Sequence, residues 1–258
     1  MGNRKDMISN LPDYLLHDIL SLLPTRDAVA TSVLSKRWKY LWTDLSVFNF
    51  ENDLPIVSME EDQVYCLLDQ VHRLLHHSNY VKSLGVMSFG VAIDEDRVNS
   101  LISAVVKHQI EELKLSLLVN QFVLPNCFSA FESLTELHLE LGCVLDVPSG
   151  IRFPSLKTFK LSRVTFANDK SVQQLFSGCL VLQELTLFNC NWSKIEQTSI
   201  TTPALKILTI FSDLRVNMMR STVRIDAVNL LYFSCTGYTL VNFLLVNTAS
   251  IVDAHVEC

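Results

Sequence analysis

Leu182-Gln183-Glu184-Leu185-Thr186-Leu187 decides the fold of this 258-residue chain, because its pattern, apolar-x-x-apolar-x-apolar, returns along most of the sequence. Clear copies are Leu134-Thr135-Glu136-Leu137-His138-Leu139 and Leu205-Lys206-Ile207-Leu208-Thr209-Ile210. The starting points fall at Val81, Ile110, Leu134, Leu156, Leu182, Leu205, Leu230 and Ile251, at intervals of 29, 24, 22, 26, 23, 25 and 21 residues. A period in the twenties marks a solenoid in which every unit supplies one short strand. One unit can bury the inward side chains of its strand only against its neighbours, so the array forms a continuous core or none.

Residues that flank and separate the inward positions face the concave surface. Reading across repeats places Glu112, Glu136, Thr158, Glu184, Ile207 and Tyr232 in one column, and Lys114, His138, Lys160, Thr186, Thr209 and Ser234 in the next. A third column holds Ser116, Glu140, Ser162, Phe188, Phe211 and Thr236. Most of these side chains are polar, as a solvated face requires. Phe188, Ile207, Phe211 and Tyr232 nevertheless cluster, because adjacent strands lie only about 4.8 Å apart. An exposed patch with three aromatics has the composition of a binding hot spot, which makes these four the candidate substrate-binding residues.

The return segments differ in length. Asp94-Glu95-Asp96 complements the N-terminal dipole of a helix whose apolar face is Val98, Leu101, Ile102, Val105 and Val106. Val172, Leu175, Phe176 and Cys179 repeat that spacing. Elsewhere the return is short and carries proline, as between Val147 and Pro154, so the convex face is expected to mix helices with loops. The array, assigned to residues 81–258, ends on an eighth strand from Ile251 that is expected to lack a C-terminal cap. Upstream, residues 51–80 read as a helical cap or linker. Ser58 and Glu61 form a capping box, and Val64, Leu67, Leu68, Val71, Leu74 and Leu75 mark an amphipathic helix that would cover the first repeat.

Residues 1–50 read as three short helices. Pro12 and Asp13 open the first, which carries Leu15, Leu16, Ile19, Leu20 and Leu23 until Pro24 stops it. Thr25 is the candidate N-cap of the second and Ser35 of the third, whose apolar face is Trp38, Leu41 and Trp42. About thirty helical residues cannot bury this much Leu, Val and Trp among themselves, so part of the surface must meet a partner or the rest of the chain.

Leu11-Pro12, Leu15-Leu16, Ile19-Leu20, Leu23-Pro24, the run from Val33 to Trp38, and Leu41-Trp42 resemble an F-box of the form typical of large plant families. The phrases 153–159, 177–185, 202–208 and 223–230 are likewise similar to plant F-box proteins with leucine-rich repeats, a group often followed by an FBD domain. The resemblance implies an α/β architecture, a three-helix F-box followed by a short leucine-rich-repeat solenoid with a parallel sheet on its concave face. It also implies a substrate-recognition subunit of a Skp-cullin-F-box ubiquitin ligase. Leu11, Pro12, Ile19, Leu20, Leu23, Val33 and Trp38 would then dock on the Skp-type adaptor, and through it on cullin and the RING subunit. The repeats would hold the protein to be ubiquitinated. The alternative is a repeat scaffold that binds partners outside any ubiquitin ligase.

Other classes fare worse. The formal charge is −6, and residues beyond 50 carry fifteen basic against twenty-two acidic groups, the wrong sign for a nucleic-acid-binding face. No Walker loop, dinucleotide fingerprint or nucleophile elbow occurs, so neither catalysis nor a cofactor is expected. Seven cysteines without a C-x-x-C pair read as buried thiols in a reducing compartment, which leaves a cysteine hydrolase as a remote third reading. His72 and His76, with His77 and Asp69 nearby, lack a zincin glutamate and read as polar-face residues, not a metal site. With no apolar signal core or membrane-length run, the chain is expected to be soluble and intracellular, in nucleus or cytoplasm, where the Asn191-Trp192-Ser193 sequon has no meaning.

Overall fold

The computed structural model describes residues 8, 11–50, 61–213, 221–238 and 241–257. Its strands run, in chain order, β1 (Val47–Asn49), β2 (Ser83–Ile93), β3 (Glu112–Val119), β4 (Gln121–Val123), β5 (Glu136–Glu140), β6 (Val144–Asp146), β7 (Thr158–Ser162) and β8 (Thr165–Phe166). They continue as β9 (Glu184–Phe188), β10 (Gln197–Thr201), β11 (Ile207–Ser212), β12 (Thr222–Asp226), β13 (Tyr232–Gly237), β14 (Asn242–Val246) and β15 (Asp253–Glu257). The α-helices are α1 (Asp13–Ser21), α2 (Thr25–Ala30), α3 (Glu61–His77), α4 (Glu95–Val106) and α5 (Asp169–Ser177).

All eight repeat phrases become strands of one parallel sheet, ordered β1-β2-β3-β5-β7-β9-β11-β13-β15. Alternation explains it. Leu113, Leu137, Phe159, Leu185 and Leu208 pair across neighbouring strands and are buried, as are Leu115, Leu139, Leu161, Leu187 and Ile210 two residues on. A fully buried Leu or Phe contributes about 1.5–3 kcal/mol, and here it does so only because the next coil supplies the other wall. Phe128, Phe153, Phe159 and Phe176 continue that core as an aromatic chain with centroids 6.0 to 6.5 Å apart.

The ninth strand is β1, which pairs with β2 from Val47↔Ser83 to Asn49↔Gly85. Helix α3 packs beside α4 and buries all six of its expected apolar residues, so β1 and α3 form an additional coil ahead of the first repeat. The Ser58 half of the expected capping box lies outside the described residues. Behind the main sheet, return segments too short for helices pair with one another in two small parallel ladders, β4-β6-β8 and β10-β12-β14. Asp94 caps α4 by accepting from Arg97 N at 2.9 Å, and Asn168 caps α5 by accepting from Ser171 N at 2.9 Å.

Two cap expectations in the N-terminal helices are corrected. Pro24 precedes α2 as its cap, and the Thr25 hydroxyl instead accepts from Asn49 N at 2.8 Å, tying α2 to β1. The third helix is a 3₁₀ segment, Trp38–Asp44, that starts after Arg37 with no side-chain cap, so Ser35 plays no capping part. At the turn after α5, a β-carbon on Gly178 would stand 2.4 Å from the Ile151 carbonyl oxygen, which reserves that position for glycine.

Candidate functional site

Two surfaces among the described residues hold the side chains that the sequence singled out for partners. The first is the apolar face of the N-terminal helices. Arg37 anchors it, since its Nε donates to Asp13 Oδ1 at 3.0 Å and its other nitrogen reaches the Leu11 carbonyl, fixing the Leu11-Pro12 entry to α1. Seven residues were expected to meet a partner here, and the structure divides them. Pro12, Ile19, Leu23 and Val33 are exposed and Leu11 is half-buried. Leu20 and Trp38 are buried, Leu20 completely, because they fill the space between α1 and the 3₁₀ segment. In their place the structure brings out Tyr14, Leu22 and Leu34, with Leu22 and Val33 each 85% exposed.

The second surface is the open face of the large sheet. The register sets the three columns side by side, with Glu112↔Glu136↔Thr158↔Glu184↔Ile207↔Tyr232 as the first. Phe188 and Phe211 are paired residues of β9 and β11, and their rings stack at 4.8 Å with an interplanar angle of 11°. Phe188 is 41% exposed and Tyr232 47%, while Ile207 and Phe211 are half-buried. No described segment lies over them deeply enough to bury them.

Toward the other end of the same face the character changes. Lys114, His138 and Lys160 occupy one row on β3, β5 and β7. His138 Nε2 lies 2.8 Å from Glu136 Oε1. Burial, then the charge of Lys160, pushes the imidazole down to about 4, with Glu136 opposing. Glu140 accepts from Ser116 Oγ at 2.6 Å and pairs with Arg163.

Burial pushes the thiols of Cys143, Cys179 and Cys190 up to about 12, so they stay protonated at neutral pH. His77 stands edge-on to Trp42 at 6.4 Å, with His76 against it at 5.2 Å. Among the described residues no helix is long and apolar enough to cross a membrane.

Residues 8–50 match the F-box domain model, and residues 74–258 match the At1g61320/AtMIF1 LRR domain model. The chain belongs to the F-box/LRR-repeat family. It is 34% identical to the Arabidopsis thaliana F-box/LRR-repeat protein At3g26922, across 99% of this chain and 83% of that one. It is 32% identical to F-box/LRR-repeat protein At4g14096 of the same plant and 29% identical to FBD-associated F-box protein At4g10400, each across 98% of this chain. It spans 54% and 61% of those two. F-box/LRR proteins are generally non-catalytic adaptors, and an F-box generally binds a Skp-type adaptor. Sequence reading missed the exposure of Tyr14, Leu22 and Leu34 because an apolar helix gives no sign of which face is filled from within; Leu22, two residues before the stop at Pro24, was the available clue.

Proposed function

We propose that this chain is the substrate-recognition subunit of a Skp-cullin-F-box ubiquitin ligase. The observation that carries the reading is the exposure of Leu22 and Val33, each 85%, in the N-terminal helices of a chain whose sheet presents an apolar patch of its own. Leu11, Pro12, Ile19, Leu22, Leu23, Val33 and Leu34 dock on the Skp-type adaptor, while Leu20 and Trp38 hold that surface in shape. Phe188, Ile207, Phe211 and Tyr232 contact the protein to be ubiquitinated. The chain performs no chemistry of its own. It holds a target close to a ubiquitin-charged conjugating enzyme, and the rate gain is one of proximity.

Co-purification of the full chain with adaptor and cullin tests this. Replacing Leu11 and Pro12 together by alanine should abolish adaptor capture while the repeats stay folded. Undiminished capture by that variant would count against the docking face. A chain that never co-purifies with adaptor or cullin would favour a scaffold acting outside the ligase.

A further inference from the structure

The open face of the sheet changes character at β9. On β3, β5 and β7 it mixes acids and bases, among them Glu112, Lys114, Glu136, Glu140 and Lys160. On β9, β11 and β13 every open-face position after Glu184 is uncharged. Phe188 and Phe211 stack within that neutral part, with centroids 4.8 Å apart and planes 11° from parallel. Their spacing matches the roughly 4.8 Å between neighbouring strands, so the stack runs along the row from strand to strand. Phe211 covers one face of Phe188. The other face is turned toward β7, where the register partner is Ser162.

Serine is too short to cover that ring. Arg163, the next residue, turns its side chain to Glu140 on β5. Phe188 therefore stays 41% exposed, and among the described residues Phe211 is its one ring contact. Ser162 also edges an opening of about 160 Å³ that extends over β3, β5 and β7, so the space above it is accessible. Resting on the reading of this face as the target site, we propose that the target supplies a tyrosine or tryptophan side chain, which lies over Ser162 and continues the Phe188–Phe211 stack as a third ring.

Shape and charge select this class. A planar group can lie flat against Phe188, and stacked rings gain more than their buried area alone provides. A guanidinium is also planar, but Lys160 borders the opening and Glu140, the carboxylate on that border, is already paired with Arg163. The Ser162 hydroxyl has no hydrogen-bond partner among the described residues, so a ring carrying an O–H or N–H suits the place better than phenylalanine. Ser162 then determines specificity by leaving room. Ser162→Phe would supply the third ring from the chain itself, closing the slot without weakening the sheet, because cross-strand aromatic pairs are stabilising.

The test uses the full chain and four randomised peptide libraries, each with one fixed central residue: Trp, Tyr, Leu or Arg. The Trp and Tyr libraries should be retained at least about threefold over the Leu library, the gain expected of one stacked ring. Ser162→Phe should erase that preference at an unchanged or raised melting temperature, Ser162→Ala should keep it, and Phe188→Ala with Phe211→Ala should lower retention of every library. Leucine matching the aromatic residues, with the phenylalanine variant still weakening all, overturns the ring slot and leaves the face as target site. Arginine matching them overturns a neutral ring in favour of a cation. A preference that survives Ser162→Phe overturns the place over Ser162. Retention indifferent to the phenylalanine variant overturns the target-site reading itself. A measurement on the parent chain needs no variant to fold: N-acetyltryptophanamide should shift the Phe188 ring resonances seen by NMR, and N-acetylleucinamide should not. An equal response to both overturns the slot.

Discussion

Leu22→Ala combined with Val33→Ala separates docking from folding. Both side chains are 85% exposed in the free chain, so their truncation leaves the fold nearly untouched, within about 0.5 kcal/mol for surface positions. On docking they lose that exposure. The two changes remove five carbon groups, each contributing about 0.8 kcal/mol when buried, and scaling for the surface available gives about 3 kcal/mol, roughly a two-hundredfold rise in Kd. Leu20→Ala is the contrasting case. Leu20 is fully buried, so its truncation opens a cavity costing about 2–5 kcal/mol of stability and weakens binding only by unsettling the helices. Calorimetric titration of purified adaptor into each full-length variant, beside thermal melts, reads both quantities. A Leu22/Val33 variant that melts like the parent and binds the adaptor with parental affinity would refute the assignment of this face.

On the sheet, Phe188→Ala with Phe211→Ala should abolish capture of the target while lowering the melting temperature by only a few degrees, since a stacked pair contributes about 0.5–1.5 kcal/mol; full capture by the double variant would sink the aromatic patch as contact site. The His138 imidazole titrates near 6.5 when unfolded and about 4 when folded, so below 6.5 the unfolded chain binds a proton that the folded chain refuses. Stability is therefore lost as pH falls from about 6.5 to about 4, and His138→Gln should flatten that part of the melting profile; identical profiles would show that the imidazole is not held neutral. Gly178→Ala should destabilise by about 1–3 kcal/mol, because its new methyl group meets the Ile151 carbonyl and not a flexible side chain. An unchanged denaturation midpoint would mean that the turn after α5 yields freely.

The solenoid was legible because its signal is local and repeated. Eight copies of one phrase specify the strands, and their spacing specifies the register, so the columns through Glu112, Lys114 and Ser116 follow from counting residues. The α3 and α4 helices were equally readable, each from an apolar face complete within one segment. Strand β1 was not. Three residues, Val47-Phe48-Asn49, carry no periodicity, and they become a strand because β2, more than thirty residues later, offers an unpaired edge. The two- to five-residue ladders behind the sheet were hidden for the same reason.

Sequence alone thus determined the architecture, the order of the repeats and the identity of the side chains on the open face, since each depends on alternation within a strand and on the distance to the next copy. Tertiary structure decided what becomes of chemically equivalent residues. Leu20 and Leu22 sit two positions apart in one apolar run, yet one is enclosed and the other stands 85% exposed, because the wall that covers Leu20 comes from the 3₁₀ segment near Trp38 and nothing described covers Leu22. Lys114 and Lys160 likewise read as ordinary surface charges until the sheet set them on either side of His138, where the charge of each opposes its protonation. Burial and charge balance are properties of neighbours distant in the chain, and a periodicity read along one segment contains no information about them.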